Sequence, residues 1–246
     1  MVQQELNKDV LFRLIGESHY PLSHEIYQSP TYWKSRVQDV THSEFMSAIE
    51  RNNIPYVKYS LSENLLDPSI NNDEAISEAA RNGHVEVVRL LLGDKRVDPS
   101  DNNNASLIEA VRNGHIEVVK LLLKDERVDP SANNNEAIEK AVSHGRIEVV
   151  RLLLKDKRVD PSDYDNDAIG GAASNGYIEI AILLSEDERV DPSDNDNYAI
   201  RTAASNGHIE IVRLLLEDER VDPSVNDNEA IGEASSNGQL KLLDSY

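Results

Sequence analysis

Two kinds of apolar segment alternate along the 246-residue chain. In the stretch Glu74 to Asn82, Ala75, Ile76, Ala79 and Ala80 fall on one stripe, the spacing of a short helix with a small-residue face. Asn82-Gly83 follows, and glycine there supplies the left-handed residue that ends a helix. The next segment, Val85 to Leu92, is apolar at 85, 87, 88, 90, 91 and 92, with Glu86 and Arg89 at i, i+3 on the remaining face. This pattern predicts a second helix buried around most of its circumference. Ahead of the pair, Asp67-Pro68-Ser69 reads as a turn: proline fixes φ and removes a donor, and the aspartate can accept from amides just ahead. Between turn and helix lies Asn71-Asn72-Asp73, residues that tolerate left-handed φ and cap helix N-termini.

The whole arrangement recurs. Asp-Pro-Ser begins at Asp67, Asp98, Asp129, Asp160, Asp191 and Asp222, and Gly83, Gly114, Gly145, Gly176, Gly207 and Gly238 keep the same 31-residue step. The units are 67–97, 98–128, 129–159, 160–190, 191–221 and a truncated 222–246, expected to act as a C-terminal cap. Residues 41–66 fit the register as a degenerate first unit. Thr41 and Glu44 have capping-box spacing, which predicts a helix from near residue 42 to near Arg51. Helices this short are marginal alone, since isolated helices below about 12 residues rarely persist in water. Stacking of neighbouring units is therefore obligatory, and the expected fold is an all-α helix-turn-helix solenoid whose stability rises with unit number.

The string Asn-Gly-His-Ile-Glu-Val-Val-Lys-Leu-Leu-Leu at 113–123, repeated with small changes at 82–92 and 206–216, resembles the second half of an ankyrin repeat. The resemblance spans residues 42–246. It implies a non-catalytic scaffold that binds proteins on a concave surface lined by turn tips and the outer face of each first helix. There are departures. The family's usual unit is two residues longer, and its Thr-Pro-Leu-His turn is replaced by Glu74-Ala75-Ile76-Ser77 and equivalents. The usual turn glycine becomes Asn72, Asn103, Asn134, Asp165, Asp196 or Asp227, which predicts a short, tight turn finger in place of a projecting hairpin. Arrays of this Arg-Val-Asp-Pro-Ser type resemble those of large DNA viruses of amoebae and of their hosts, which would place the protein in host cytoplasm if viral.

Composition narrows the function. With 25 Lys and Arg against 45 Asp and Glu, the formal charge is −20, which argues against nucleic-acid backbones as a partner. The absence of cysteine removes disulfides, thiolate zinc sites and cysteine nucleophiles. Residues 1–16 lack the uninterrupted apolar core of a signal peptide, and no run reaches membrane-spanning length, so a cytoplasmic monomer is expected. His84, His115 and His208 share one position in their units, where a hydrogen bond between a turn and the neighbouring unit is the expected role. Asp163-Tyr164-Asp165-Asn166-Asp167 imitates the start of a calcium loop. Ala168 stands where that loop needs glycine and Ser174 where it needs a bidentate glutamate, so a helix-capping turn is expected. Asn104-Ala105-Ser106 is a glycosylation sequon, idle without a secretory signal. No phosphate loop, nucleophile elbow or metalloprotease motif appears; no enzyme activity, cofactor or metal site is expected.

The positions that vary while the frame stays constant are those the fold does not dictate. One column runs Ile70, Asp101, Ala132, Asp163, Asp194, Val225; the next Glu74, Ala105, Glu136, Asp167, Tyr198, Glu229; a third Ser77, Ile108, Glu139, Gly170, Arg201, Gly232. Tyr164 and Tyr198 replace polar residues here, and tyrosine is a favoured interface anchor. The last three units carry charges of −7, −4 and −4, which favours a partner with a basic segment. Tyr164, Asp167, Tyr198, Arg201, Asp163 and Asp194 are thus the candidate partner-binding residues. Residues 1–40 hold Phe12, Tyr20, Tyr27, Tyr32 and Trp33 and read as a non-repeat capping segment. In the alternative reading they dock to a ubiquitin ligase, since Tyr20-Pro21-Leu22-Ser23-His24-Glu25-Ile26 faintly resembles the opening of an F-box, and the protein would be a substrate adaptor.

Overall fold

A computed structural model describes residues 40–224 and Gly232. Among the described residues there are twelve α-helices and no strand. They form six antiparallel pairs: α1 (His42–Glu50) with α2 (Ile54–Ser62), α3 (Ile70–Arg81) with α4 (Val85–Leu92), α5 (Asp101–Asn113) with α6 (Ile116–Leu123), α7 (Ala132–Ser143) with α8 (Ile147–Leu154), α9 (Asp163–Asn175) with α10 (Ile178–Ser185), and α11 (Asp194–Ser205) with α12 (Ile209–Leu216). The two classes of helix stack on their own kind, α3 on α5 and α4 on α6, and so along the array. The chain is an all-helical repeat solenoid.

Local sequence accounts for the helix ends. Thr41 and Glu44 make the expected capping box: the Glu44 amide donates to Thr41 Oγ1 at 3.2 Å, and the Thr41 amide donates to Glu44 Oε2 at 2.9 Å. In the second helices three inward positions are buried, as at Val87, Val88 and Leu91, whereas Val85, Leu90 and Leu92 are only half-buried, so less of the circumference is covered than the pattern predicts; Glu86 and Arg89 stay exposed and pair at 3.3 Å. The first helices contribute alanines such as Ala79, Ala80, Ala110 and Ala141, all fully buried. Small side chains there let successive first helices approach closely, and one continuous core runs the length of the array.

Two ladders brace unit to unit. Gly83 lies at φ +72, and a Cβ there would sit 2.6 Å from Nδ1 of His115, the histidine of the next unit. Nε2 of His115 donates to the carbonyl of Arg81 at 2.8 Å, as His84 does to Glu50 at 3.1 Å and His208 to Ser174 at 3.2 Å. The expected role of these histidines is therefore met. Arg146 and Tyr177 stand at the same position: the former donates to the Arg112 carbonyl at 2.9 Å and the latter lays its ring against Gly145. The second ladder is arginine. Arg158 is gripped by Asp156, and its Nη1 and Nη2 donate to the carbonyls of Val128 at 2.8 Å and Leu123 at 3.2 Å in the unit before. Leu123 ends α6, so the guanidinium caps a helix C-terminus whose carbonyls have no intrahelical partner. Arg127 and Arg189 repeat both contacts, and Arg96 and Arg220 repeat the one from Nη1 to the carbonyl 30 residues earlier.

The expected capping segment at 1–40, with its F-box-like stretch, and the truncated unit at 222–246 lie almost wholly outside the described residues. Asn104 of the glycosylation sequon is buried, which leaves no room for a glycan.

Candidate recognition surface

The Asp-Pro-Ser turn is built the same way six times. At Asp160, Oδ1 accepts the Ser162 amide at 3.0 Å and the Ser162 hydroxyl at 2.6 Å; the equivalent pair recurs from Asp67 to Asp222. These bonds stabilise the carboxylate form and hold the carboxyls of Asp67, Asp98, Asp129, Asp160 and Asp222 below their ordinary value. Three consecutive left-handed residues follow: 71–73, 102–104, 133–135, 164–166 and 195–197. The short finger expected from the sequence is thus a single left-handed turn. In most units it consists of Asn and Asp, the residues that enter this region most readily after glycine.

The three turn positions divide the work. The first two are exposed in all five turns, whereas the third is buried: Asp73, Asn104, Asn135, Asn166 and Asn197. Each buried asparagine reaches the next unit, as where Asn166 Oδ1 accepts the Asp191 amide at 2.8 Å and its Nδ2 donates to Asp194 Oδ2 at 2.9 Å. Nothing in the composition of the Asx cluster distinguished the buried residue from its exposed neighbours. The available signal was that position three is Asn in every Asp-Pro-Ser unit but the first, where it is Asp73, while position two is Asn three times and Asp three times and position one admits Tyr164.

The candidate residues fall around this frame. Tyr164 occupies the first turn position of its unit at φ 51, ψ 52, with 59% of its surface exposed. For a bulky L-residue this is a genuine outlier. Asp163 and Asp194 serve inside the array: each accepts a buried asparagine amide, Asp163 from Asn135 at 3.0 Å, and each accepts the amide of the residue after it. Asp163, Asp165 and Asp167, the carboxylates of the apparent calcium loop, therefore belong to a left-handed turn and its flanks. Asp167 is exposed beside Glu139 and Asp165, and its carboxyl is held above its ordinary value, first by partial desolvation and then by those two charges. Tyr198 is half-buried. Its ring covers Gly170 of the preceding unit, where a Cβ would lie 2.6 Å from the ring carbon Cδ1. Arg201, one turn further along α11, is also half-buried. Glu139 and Asp165 thus join Asp167 in an acidic cluster that the candidate set held only in part.

A family model described as ankyrin repeats (three copies) matches residues 45–135, 101–165 and 169–244. No curated protein matches the chain.

Proposed function

The chain belongs to the ankyrin-repeat family, whose repeats mediate protein–protein interaction, and from that premise we propose that it is a non-catalytic scaffold capturing a protein on the concave face of its array. Tyr164 carries this reading. A left-handed L-residue costs roughly 1–2 kcal/mol, Asn tolerates the conformation better, and Asn fills the same position in the other four described turns. A ring 59% exposed recovers little of that cost by burial within the chain. Residues held in unfavourable backbone regions cluster at binding sites, and an exposed tyrosine held rigidly is a good interface anchor.

The partner presents a basic segment. Glu139 of the unit before crowds against Asp167, which with Asp165 and Tyr164 lies in the unit of charge −7, and a lysine or arginine brought among these carboxylates relieves their repulsion. Tyr198 and Arg201 extend the surface across the next unit, while Asp163 and Asp194 flank it through their engaged carboxylates. The protein acts as a cytoplasmic monomer, and its source is a large DNA virus of amoebae or an amoebal host.

The test is affinity capture from amoebal lysate on the immobilised full chain, beside full chains carrying Tyr164→Asn or Asp167→Asn, with fold checked by circular dichroism. A protein with a Lys/Arg-rich segment should be recovered, less so by either variant and less so as salt rises from about 50 to about 300 mM. Recovery indifferent to both substitutions and to salt would refute the proposed surface. Recovery of ubiquitin-ligase components instead would point to the adaptor reading and residues 1–40.

A further inference from the structure

One of the five buried turn positions breaks the pattern. Asn104, Asn135, Asn166 and Asn197 each accept, at Oδ1, the amide of the aspartate 25 residues on, at 2.7 to 3.1 Å. Asn135 and Asn166 also donate from Nδ2 to the carboxylate 28 residues on, Asp163 and Asp194, at 3.0 and 2.9 Å. In the unit 67–97 the same position is Asp73. It receives the equivalent amide, that of Asp98, and the same register sets Asp101 against it. Asp73 is only 4% exposed, and its Oδ1 has no hydrogen-bond partner. Where the junctions at Asn135 and Asn166 place an N–H against a carboxylate, this one places a second carboxylate.

We propose that Asp73 and Asp101 form a proton-binding site that locks the junction between units 67–97 and 98–128 on acidification and loosens it at neutral pH. The proton comes from solvent and resides on Asp73, whose O–H donates to Asp101 in place of the asparagine N–H. Asp101 is prepared for this: its Oδ1 already accepts the Asn102 amide at 2.7 Å, which leaves Oδ2, the oxygen that Asp163 and Asp194 use. The surroundings favour the neutral acid. Burial pushes the Asp73 carboxyl up from 3.8 to about 6; the Asp98 amide opposes this, and the charges of Asp101, Asp98 and Asp67 add to it. Arg127, which interacts with Asp73 electrostatically, is already gripped by Asp125. Because the folded value lies above the unfolded one, the fold binds the proton more tightly. Its stabilisation is complete below the unfolded value and is lost as pH rises through about 6.

Thermal unfolding of the full chain between about pH 5 and pH 8 tests this, using wild type, Asp73→Asn, Asp101→Asn and Asn135→Asp. The His42–Glu74 pair, 3.2 Å apart nearby, is common to every variant, so its contribution cancels in the differences. Asp73→Asn and Asp101→Asn should each melt about 3 to 6 °C above wild type near pH 7.5, and the gain should shrink as pH falls towards about 5. Asn135→Asp should melt lower near pH 7.5 and recover on acidification, reproducing the site at a second junction. A variant melting at or below wild type at neutral pH, or a gain that does not depend on pH, would overturn the proposal. So would calcium raising the wild-type melting temperature at pH 7.5 in a way that Asp73→Asn abolishes, since a metal ion would then be the ligand.

Discussion

Asn166 joins two units through three physical effects that substitution can separate. It lies buried at φ 60, ψ 36, accepting the Asp191 amide at 2.8 Å and donating to Asp194 at 2.9 Å. Removing the acceptor orphans an amide that is only partly buried, so water replaces part of the bond and the loss is about 1 kcal/mol. The second bond is charge-assisted, but Asp194 is exposed, which limits its loss to about 1 kcal/mol as well. Alanine must then hold the left-handed backbone at a cost of roughly 1–2 kcal/mol, which glycine escapes while losing up to about 1 kcal/mol in extra chain entropy. Asn166→Ala should thus destabilise the array by about 3 kcal/mol and Asn166→Gly by about 2, although both delete the same bonds.

Urea unfolding followed by circular dichroism reads the sum. Amide hydrogen exchange reads its location, which matters because repeat arrays can depart from two-state unfolding. The Asp191 amide should lose protection in both variants while amides of the unit 98–128 keep theirs. If glycine proved as damaging as alanine, the left-handed turn would not be the source of the difference and the reasoning would fail. Midpoints indistinguishable from wild type would deny the asparagine any bracing role.

Three other substitutions probe the same frame. Gly83→Ala forces a Cβ to within 2.6 Å of the His115 ring at φ +72 and should cost about 2–3 kcal/mol in urea unfolding, partly recovered when His115→Ala is added. Arg158→Lys keeps the charge but not the fork that holds Asp156 and two carbonyls at once, so about 1–2 kcal/mol should be lost, measured in the same way. Tyr164→Asn should raise the melting temperature, relieving about 1 kcal/mol of backbone strain, in the same chain that captures less partner. A further prediction concerns acid. The Ser131 hydroxyl and amide hold the Asp129 carboxyl below its ordinary value, so their contribution is present at neutral pH and disappears as pH falls through the depressed value. Ser131→Ala removes the larger cause, and acid unfolding followed by circular dichroism should begin at a higher pH than in wild type.

What was legible in the chain divides along a physical line. Helix ends, the Asp-Pro-Ser turn and the left-handed Asx cluster depend on residues within four positions of one another, and Thr41, Glu44, Asp67, Pro68 and Gly83 state them locally. The bracing contacts run between residues 25 to 35 apart. Asp156-Lys157-Arg158 reads along the chain as surface charge, and only stacking turns the guanidinium towards Leu123 and Val128. Tyr198 illustrates the same limit at the candidate surface. As a single tyrosine in a polar column it suggests an exposed anchor, yet its ring fills the space left by Gly170 28 residues earlier, so the two departures form one packing event. Tyr164 differs because no compensating change accompanies it within the array. The left-handed turn explains why it can be tolerated. Position three carries the bonds to the next unit, so the strain at position one stays local. The first two positions can therefore vary without disturbing the register of the repeats, which is why the acidic, tyrosine-bearing turn at 164–166 sits on a frame otherwise the same as its neighbours.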